Sequence, residues 1–239
     1  MSALAALLAL TAPGTATAQA AACRMPTDFA LPQPEAVRAD QVRRTPVTRY
    51  LLSLSWSPQH CHDARERRSG DAAGDAVQCG GETGSFGFVL HGLWPETDGR
   101  DWPQYCRPAR QMSRATIARH LCMTPSPELL QHEWARHGTC MAATPERYFR
   151  AAAILYRAVR YPDMAALARE TTLSVADFTR AFAGANPGLR ENMIAVNMTR
   201  SGWLDEVRIC LDRRFRRARC PEASRGAPPQ SRLRVSPPG

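Results

Sequence analysis

Eight cysteines spread along this chain constrain what it can fold into more than any other feature of the sequence. They stand at Cys23, Cys61, Cys79, Cys106, Cys122, Cys140, Cys210 and Cys220. Their number is even and no C-x-x-C pair occurs, whereas zinc sites and redox motifs usually contain such pairs. The pattern predicts four disulfide bonds that staple the fold, and it leaves their connectivity open.

The first segment of the chain predicts export. Residues 1–20, MSALAALLALTAPGTATAQA, form an apolar run that is too short to span a bilayer and ends in small residues before Ala21. We interpret this run as a secretory signal peptide, although it lacks the usual basic residue near its start. We therefore expect a periplasmic or secreted protein that does not span a membrane, with a cytosolic protein bearing reduced thiols as the alternative.

The chain is strongly basic, with a formal net charge of +9, and all 31 basic residues are arginine because the sequence contains no lysine. A basic surface favours polyanionic partners, since binding neutralises phosphates and releases counterions. Abundant alanine and arginine without lysine is also the pattern that a biased genome composition produces. Charge alone therefore favours a nucleic acid partner only weakly.

Composition divides the rest of the chain into three parts. Residues 21–47 are rich in proline and predict an extended N-terminal segment. Residues 48–220 carry the periodic patterns and predict a single folded domain. Residues 221–239 are basic and rich in proline, which predicts a flexible tail.

Two apolar segments predict the first strands. The stretch RYLLSLSWS (49–57) is rich in apolar and aromatic residues and predicts a buried strand that ends before Pro58. Between the strands, residues 60–84 are polar and rich in glycine, and they predict a loop whose ends Cys61 and Cys79 could tie.

The second predicted strand is SFGFVLHGLWP (85–95). Strict alternation places Phe86, Phe88 and Leu90 on one face, and Val89, His91 and Leu93 on the other. Gly92 and Pro95 are expected to interrupt the ladder and start a loop.

Capping residues predict the helices that follow. These helices are expected to begin after Ser113, Ser126, Thr144 and Ser174, and Gly184 is expected to end the last of them. Residues 193–212 predict a hairpin that turns near Ser201 and Gly202. Because strands and helices do not alternate regularly, we expect an α+β fold in a single domain.

The segment HEWARHGTC (132–140) first raises the question of a metal site. Zinc proteases carry H-E-x-x-H, which places two histidines on one helical face. Here the spacing is one residue longer, so His132 and His137 lie about 140° apart around a helix. Arg136 between them would also repel a cation. The spacing therefore argues against metal ligation.

The same helical geometry favours a different site. Relative to His132, Arg136 lies at about 40°, Glu133 at about 100° and His137 at about 140°, so the four line one side of the helix. Trp134 lies on the other side and can anchor the helix in the core. Positive side chains beside a carboxyl group suit a phosphate whose charge grows in a transition state. Alone, such a helix face could equally be a solvated surface.

His91 favours the interpretation as an active site, because a histidine in an apolar strand is unusual. The alternative is a buried histidine whose hydrogen bonds are satisfied within the core. Cleavage of RNA without metal needs a general base and a general acid, and two imidazoles can serve as this pair. A neutral one takes a proton from the ribose 2′-hydroxyl and a protonated one gives a proton to the departing 5′-oxygen. Both states coexist near pH 7, since the unperturbed pKa of histidine is about 6.5. His91 and His137 could form this pair, and Trp94 could stack on a base.

FVLHGLWP and HEWARHGTC together resemble the two active-site segments of the ribonuclease T2 family, secreted acid endoribonucleases. The resemblance covers roughly residues 48–212, and it would make residues 48–220 a ribonuclease catalytic domain. It implies that His91 is the general acid and His137 the general base. It further implies that Glu133 and Arg136 stabilise the pentacoordinate phosphorane.

The resemblance also suggests which residues bind the substrate. His132 would hold the phosphate, and Trp94 would belong to a base site. Arg136 stands where the family usually has a lysine, and arginine is a different phosphate ligand. Glu96 and Trp102 stand where some members have an aspartate and a tyrosine that contact the base, so base preference is left open.

The family further implies an RNA substrate, a 2′,3′-cyclic phosphate intermediate that is hydrolysed to a 3′-phosphate, and no metal or other cofactor. It implies a central antiparallel sheet flanked by helices, and we expect a monomer. By analogy the disulfides would be Cys106–Cys140, Cys79–Cys122, Cys210–Cys220 and Cys23–Cys61. The alternatives are an RNA-binding or inhibitory relative with weakened catalysis, and a metal-dependent hydrolase.

Overall fold

The computed structural model describes residues 23–24, 26, 28–66, 72–99 and 101–238. The predicted signal peptide, residues 1–20, lies outside the described residues. No helix in the described part of the chain is long and apolar enough to cross a membrane.

A four-stranded antiparallel sheet forms the centre of the molecule, with strand order β2-β1-β4-β3. The strands are β1 (Arg49–Trp56), β2 (Phe88–Glu96), β3 (Ile194–Met198) and β4 (Leu204–Asp212). The predicted hairpin is confirmed, because β3 and β4 pair across a turn in which Gly202 has a φ of 81°. In contrast to our expectation, Pro95 does not end β2, because it still pairs with Tyr50.

Seven α-helices among the described residues flank the sheet, and together with it they confirm the predicted α+β fold in a single domain. They are α1 (Ser57–Glu66), α2 (Ala72–Cys79), α3 (Arg114–His120), α4 (Pro127–Arg136), α5 (Pro145–Arg157), α6 (Met164–Arg169) and α7 (Val175–Ala185). The four predicted caps are confirmed, since each side-chain oxygen accepts a hydrogen bond from a backbone N–H in the first turn. The short helix α6 has no counterpart in the prediction.

The predicted loop at 60–84 is largely wrong, because α1 and α2 occupy much of it. Pro58 does not prevent α1, since proline is tolerated in the first turn of a helix. The alanines of α2 favour a helix, and the disulfide Cys61–Cys79 joins the two helices.

The core lies between the sheet and the helices. Trp56 and Phe88 from adjacent strands are fully buried, and their ring centroids lie 4.8 Å apart. Helix α5 contributes Tyr148 and Phe149 from its apolar side. The hydroxyl of Tyr156 on the same helix donates to the backbone oxygen of Phe88 at 2.8 Å, which fixes α5 against β2.

Four disulfides are present, as predicted, but only part of the expected connectivity is confirmed. The pairs Cys106–Cys140 and Cys210–Cys220 are as expected. The pairs Cys79–Cys122 and Cys23–Cys61, expected by analogy, are wrong. Cys61 instead closes the local segment to Cys79, and Cys23 bonds Cys122 across 99 residues. The local pairing is the one that the sequence of the 60–84 segment itself indicated.

The expectation of a flexible tail at 221–239 is also wrong for residues 221–238. Leu233 and Val235 are buried, and the backbone N–H of Leu233 donates to the oxygen of Leu173. The indole of Trp56 donates to the backbone oxygen of Ser236 at 3.0 Å. Proline and charge in this segment led to the wrong prediction, because two apolar side chains and a few backbone hydrogen bonds suffice to hold it on the domain.

Candidate active site

A β-bulge in β2 positions the strand side of the site. Ser53 pairs with Gly92 and Leu54 pairs with Leu90, so His91 is the extra residue. A bulge bends its strand and re-aims the side chains that follow it. The expectation that His91 and Leu93 share a face is therefore wrong, because Leu93 lies in the core with Leu90.

The same bulge brings three polar or aromatic side chains of β2 to one side. His91, Trp94 and Glu96 all line one cavity, although strict alternation would separate His91 from the other two. Gly92 is needed beside them, since a Cβ there would overlap the carboxylate of Glu133 and the indole of Trp94.

Helix α4 supplies the other side of the site. It begins at Pro127 after the cap Ser126, and its last turn leads into His137, which still has a helical backbone. Trp134 and Ala135 are buried on the core side. The helical arithmetic of the sequence thus placed Trp134 correctly.

All eight residues predicted for the site line one cavity of about 600 Å³. They are His91, Trp94, Glu96, Trp102, His132, Glu133, Arg136 and His137. The structure therefore brings the strand histidine and the helix residues together. The cavity also contains Leu51, Gly99, Arg208, Ala223 and Ser224, which the sequence did not single out.

Trp94 and Glu133 join the strand side to the helix side. The indole Nε1 of Trp94 donates to Glu133 Oε2 at 2.8 Å, and the Tyr148 hydroxyl donates to the same oxygen at 3.4 Å. The other carboxylate oxygen lies 3.8 Å from His91 Nε2. The ring of Trp94 is 5.0 Å from that of His91 and 5.5 Å from that of His137, so both imidazoles flank one indole.

His91 has surroundings that favour its charged form. Burial by itself lowers the pKa of His91, but the hydrogen bond with Glu206 and the charges of Glu133 and Glu206 outweigh burial. The net effect raises the pKa of His91 above 6.5. His91 is therefore suited to carry a proton near neutral pH.

His137 has the opposite surroundings. It is 7% exposed, and its Nδ1 has no hydrogen-bond partner among the described residues. Burial, followed by the positive charge of Arg136 and the nearby histidines His132 and His91, lowers the pKa of His137 well below 6.5. His137 is therefore suited to act as a neutral proton acceptor.

Two carboxyl groups of the cavity are also perturbed. Glu133 is 2% exposed, and burial raises its pKa despite the opposing charges of His91 and His132. Burial likewise raises the pKa of Glu96 to about 6, against the opposing charges of Arg208 and Arg49. Both groups can hold a proton more readily than an ordinary glutamate.

Two residues of β4 also contribute to the site, and the sequence predictions did not include them. Glu206 Oε2 lies 2.7 Å from His91 Nδ1, and Arg208 lies over Trp94 with its guanidinium carbon 4.9 Å from the ring centroid. A signal for them exists, because two opposite charges two residues apart on one face of an apolar strand are unusual.

The N-terminal segment contributes a further residue that was missed. Glu35 Oε1 accepts from His132 Nδ1 at 2.6 Å, and Glu35 Oε2 accepts from the Tyr105 hydroxyl at 2.9 Å. No local pattern could find this contact, since Glu35 and His132 are 97 residues apart.

Trp102 lies at the rim of the cavity and is 38% exposed. Its indole donates to Gln104 Oε1 at 3.3 Å, and the guanidinium of Arg43 lies 4.9 Å from its ring centroid. Trp102 is thus the one predicted site residue with a large exposed aromatic surface among the described residues.

Potential metal ligands cluster elsewhere in the described part of the chain. One group is His60, Asp75 and Cys79, in which Cys79 is bonded to Cys61, and the other is the largely exposed group His62, Asp63 and Glu66. Neither group contains a residue of the candidate site.

Residues 47–220 match the model of the ribonuclease T2 family. A probable ribonuclease of Haemophilus influenzae is 30% identical over 75% of this chain, and the match spans only 63% of that relative. Ribonuclease I of Escherichia coli K12 is 25% identical, with 68% of this chain and 74% of the relative covered. The solved structure of RNase NT has the same fold, with a TM-score of 0.60, 22% identity, and coverage of 82% of this chain and 100% of that one. The chain belongs to the ribonuclease T2 family.

Proposed function

We propose that this protein is an endoribonuclease that cleaves single-stranded RNA without a metal ion, by way of a 2′,3′-cyclic phosphate. One observation carries the proposal: a cavity of about 600 Å³ holds two imidazoles, and their surroundings shift the two pKa values in opposite directions. Such a pair suits a reaction that needs one proton acceptor and one proton donor at the same pH.

In the first step, neutral His137 takes the proton of the ribose 2′-hydroxyl. The 2′-oxygen then attacks phosphorus, the bond from phosphorus to the 5′-oxygen breaks, and protonated His91 gives its proton to that leaving oxygen. The products are a 2′,3′-cyclic phosphate and a free 5′-hydroxyl. In the second step water replaces the 5′-hydroxyl, the proton transfers reverse, and a 3′-phosphate forms.

Three helix side chains would stabilise the phosphorane. Arg136 brings a permanent positive charge into the cavity, and its Nε has no hydrogen-bond partner among the described residues. His132 lines the same cavity and would hold the phosphate. Glu133 has a raised pKa and could donate a hydrogen bond to a phosphoryl oxygen when protonated.

A base site is proposed on the side of Trp94, Glu96 and Trp102. Trp102 offers the exposed aromatic surface, and aromatic rings stack on bases without regard to sequence. RNase NT, whose fold this chain shares, has been solved with 5′-AMP bound, which supports nucleotide recognition in this fold. All proposed site residues come from one chain, so the reaction needs no second copy.

We also propose that the protein acts in the periplasm or outside the cell. The four disulfides support this location, since such bonds persist in oxidising compartments. The predicted signal peptide at residues 1–20 supports it as well.

The test incubates purified, oxidised protein with RNA and with DNA in EDTA at mildly acidic pH. We expect cyclic-phosphate products from RNA and none from DNA, which lacks the 2′-hydroxyl. Intact RNA would favour an RNA-binding protein, and cleavage only after addition of a divalent metal would favour a metal-dependent hydrolase.

Variants then test the two histidines. His91→Ala and His137→Ala should each lower RNA cleavage by about 10²-fold or more. His62→Ala is the control, because His62 lies on α1, is 59% exposed and does not line the cavity. Full activity of either cavity variant would refute the role of that histidine.

A further inference from the structure

A buried carboxylate stands behind His91, on the ring nitrogen that does not face Glu133. His91 Nδ1 lies 2.7 Å from Glu206 Oε2, whereas His91 Nε2 lies 3.8 Å from Glu133 Oε1. We propose that Glu206 is a positioning residue that fixes the orientation and protonation of the general acid His91. This inference rests on the proposed function, in which His91 protonates the leaving 5′-oxygen.

The contact between Glu206 and His91 is unusual because it crosses a whole strand. His91 lies on β2 and Glu206 on β4, and β1 lies between them. β2 and β4 are about 10 Å apart, since neighbouring strands are separated by about 4.8 Å. A long carboxylate side chain and the bulge at His91 are both needed to close this distance.

Small residues on β1 leave room for the contact. Ser55 pairs with Glu206 on one side and with Val89 on the other, and its hydroxyl lies 3.4 Å from His91 Nδ1. A larger side chain at Ser55 would fill the space between the carboxylate and the imidazole. The middle strand therefore permits a direct hydrogen bond between its two neighbours.

The carboxylate of Glu206 is itself held in place. Its Oε1 accepts from Arg208 Nε at 2.6 Å and from Asn197 Nδ2 at 3.1 Å, and the residue is only 5% exposed. Burial opposes the charged form, but the hydrogen bond from His91 and the charges of His91 and Arg208 lower the pKa of Glu206 to about 2. An ionised carboxylate accepts but cannot donate, so His91 Nδ1 must carry a proton.

That constraint determines what the other nitrogen can do. With Nδ1 bonded to Glu206, the nitrogen that gains and loses the catalytic proton is Nε2, which faces Glu133. A base that orients the imidazole of an acid–base pair through its far nitrogen is a general device in hydrolases. Glu206 would therefore act through His91 without touching the substrate.

The charges around His91 come from several elements. Glu206, Arg208 and Asp205 lie on β4, and Glu133 and His137 lie on or at the end of α4. Removal of the Glu206 charge leaves burial and Arg208 opposing the charged form of His91, and only Glu133 and the exposed Asp205 favouring it. The pKa of His91 should then fall, and the protonated form should be lost at a lower pH than in the natural protein.

The experiment compares Glu206→Gln, His91→Ala and the natural protein on two substrates over a range of pH. One is the dinucleotide UpA, whose leaving nucleoside needs a general acid, and the other is uridine 3′-(4-nitrophenyl phosphate), whose leaving phenolate does not. Asp205→Asn is the matched control, since it removes the same charge from the adjacent, exposed position on β4.

We expect Glu206→Gln to lower kcat for UpA by roughly 10- to 100-fold near neutral pH, with smaller losses at acidic pH. The alkaline limb of the pH–rate profile of Glu206→Gln on UpA should move to lower pH. Cleavage of the nitrophenyl ester by this variant should change by less than about threefold. Asp205→Asn should leave both profiles nearly unchanged. The double variant Glu206→Gln with His91→Ala should be no slower on UpA than His91→Ala alone.

The two substrates separate failure of this inference from failure of the proposed function. If His91→Ala loses both substrates equally, His91 is not the general acid, and the proposed mechanism falls with the inference. If His91→Ala loses only UpA while Glu206→Gln keeps the natural profile, the mechanism stands and the role of Glu206 is overturned.

A measurement on the natural protein covers the case in which Glu206→Gln does not fold. Titration of the His91 ring by NMR should give a midpoint above that of a free histidine, and the chemical shifts should show a proton retained on Nδ1 above that midpoint. A midpoint at or below that of free histidine, or a neutral ring protonated on Nε2, would overturn the proposal.

Discussion

Two imidazoles with the same intrinsic chemistry stand in different surroundings in this cavity. His91 faces the carboxylates of Glu206 and Glu133, whereas His137 is buried beside the positive charge of Arg136. β4 and α4 each supply one carboxylate beside His91, and α4 supplies the cation beside His137, so their positions suit the proposed roles of acid and base.

The pH dependence of kcat/KM should reflect this difference. His137 must be neutral, and its pKa lies well below 6.5, so activity should persist into the acidic range and fall only below that pKa. His91 must be protonated, and its pKa lies above 6.5, so activity should be lost only above that raised value. We expect kcat/KM for UpA to be nearly constant over a range of pH that extends to both sides of 6.5. A narrow optimum with both limbs on one side of this value would contradict the assignment.

Gly92 allows Glu133 to approach the strand. Gly92→Ala should destabilise the protein by about 1–3 kcal/mol through overpacking, because the Cβ would meet the Glu133 carboxylate and the Trp94 indole. RNA cleavage should fall in the same variant, since Glu133 must move. Unfolding in urea and steady-state kinetics provide the two measurements.

Gly184→Ala is the matched control for this change. Gly184 lies in helix α7 with nothing near its missing Cβ, so alanine should stabilise the protein by about 0.5–1 kcal/mol and leave activity unchanged. If Gly92→Ala keeps the stability and activity of the natural protein, the close approach of Glu133 to Gly92 is unimportant.

At the scale of elements, the site is assembled from pieces that lie far apart in the chain. β2 and α4 carry the predicted residues, β4 adds Glu206 and Arg208, and the N-terminal segment adds Glu35. The last of these lies outside the residues that match the family model.

The N-terminal segment should therefore affect phosphate binding. Glu35→Gln removes the charge that faces His132 Nδ1 at 2.6 Å, and we expect KM for UpA to rise by roughly tenfold with a smaller change in kcat. Glu128→Gln is the control, because Glu128 lies on α4 near the same histidine and does not hydrogen-bond it. An equal effect of both variants would show that only general charge matters.

At the scale of the whole molecule, both ends of the described part of the chain are tied to the domain. Cys23 bonds Cys122, and the C-terminal segment returns to the core through Leu233 and Val235. Because of these contacts, the ordered body extends beyond the residues 47–220 that match the family model.

Leu233→Ala should lower the free energy of unfolding by about 2–5 kcal/mol, since the side chain is 1% exposed. Gln230→Ala, at an exposed position of the same segment, should change it by less than about 0.5 kcal/mol. Urea unfolding measures both. Equal stability of the two variants would support the prediction of a flexible tail that the composition of the segment suggested.

The sequence by itself determined the features that depend on nearby residues. The caps at Ser126 and Thr144 fixed helix starts, the 3.6-residue period placed Trp134 opposite the polar side of α4, and two short segments indicated the family. Only the tertiary structure decided the bulge at His91, the reach of Glu206 across β1 and the contact of Glu35 with His132. Local periods follow from backbone geometry, whereas these contacts depend on strand order and on chain segments about a hundred residues apart, which no local pattern encodes.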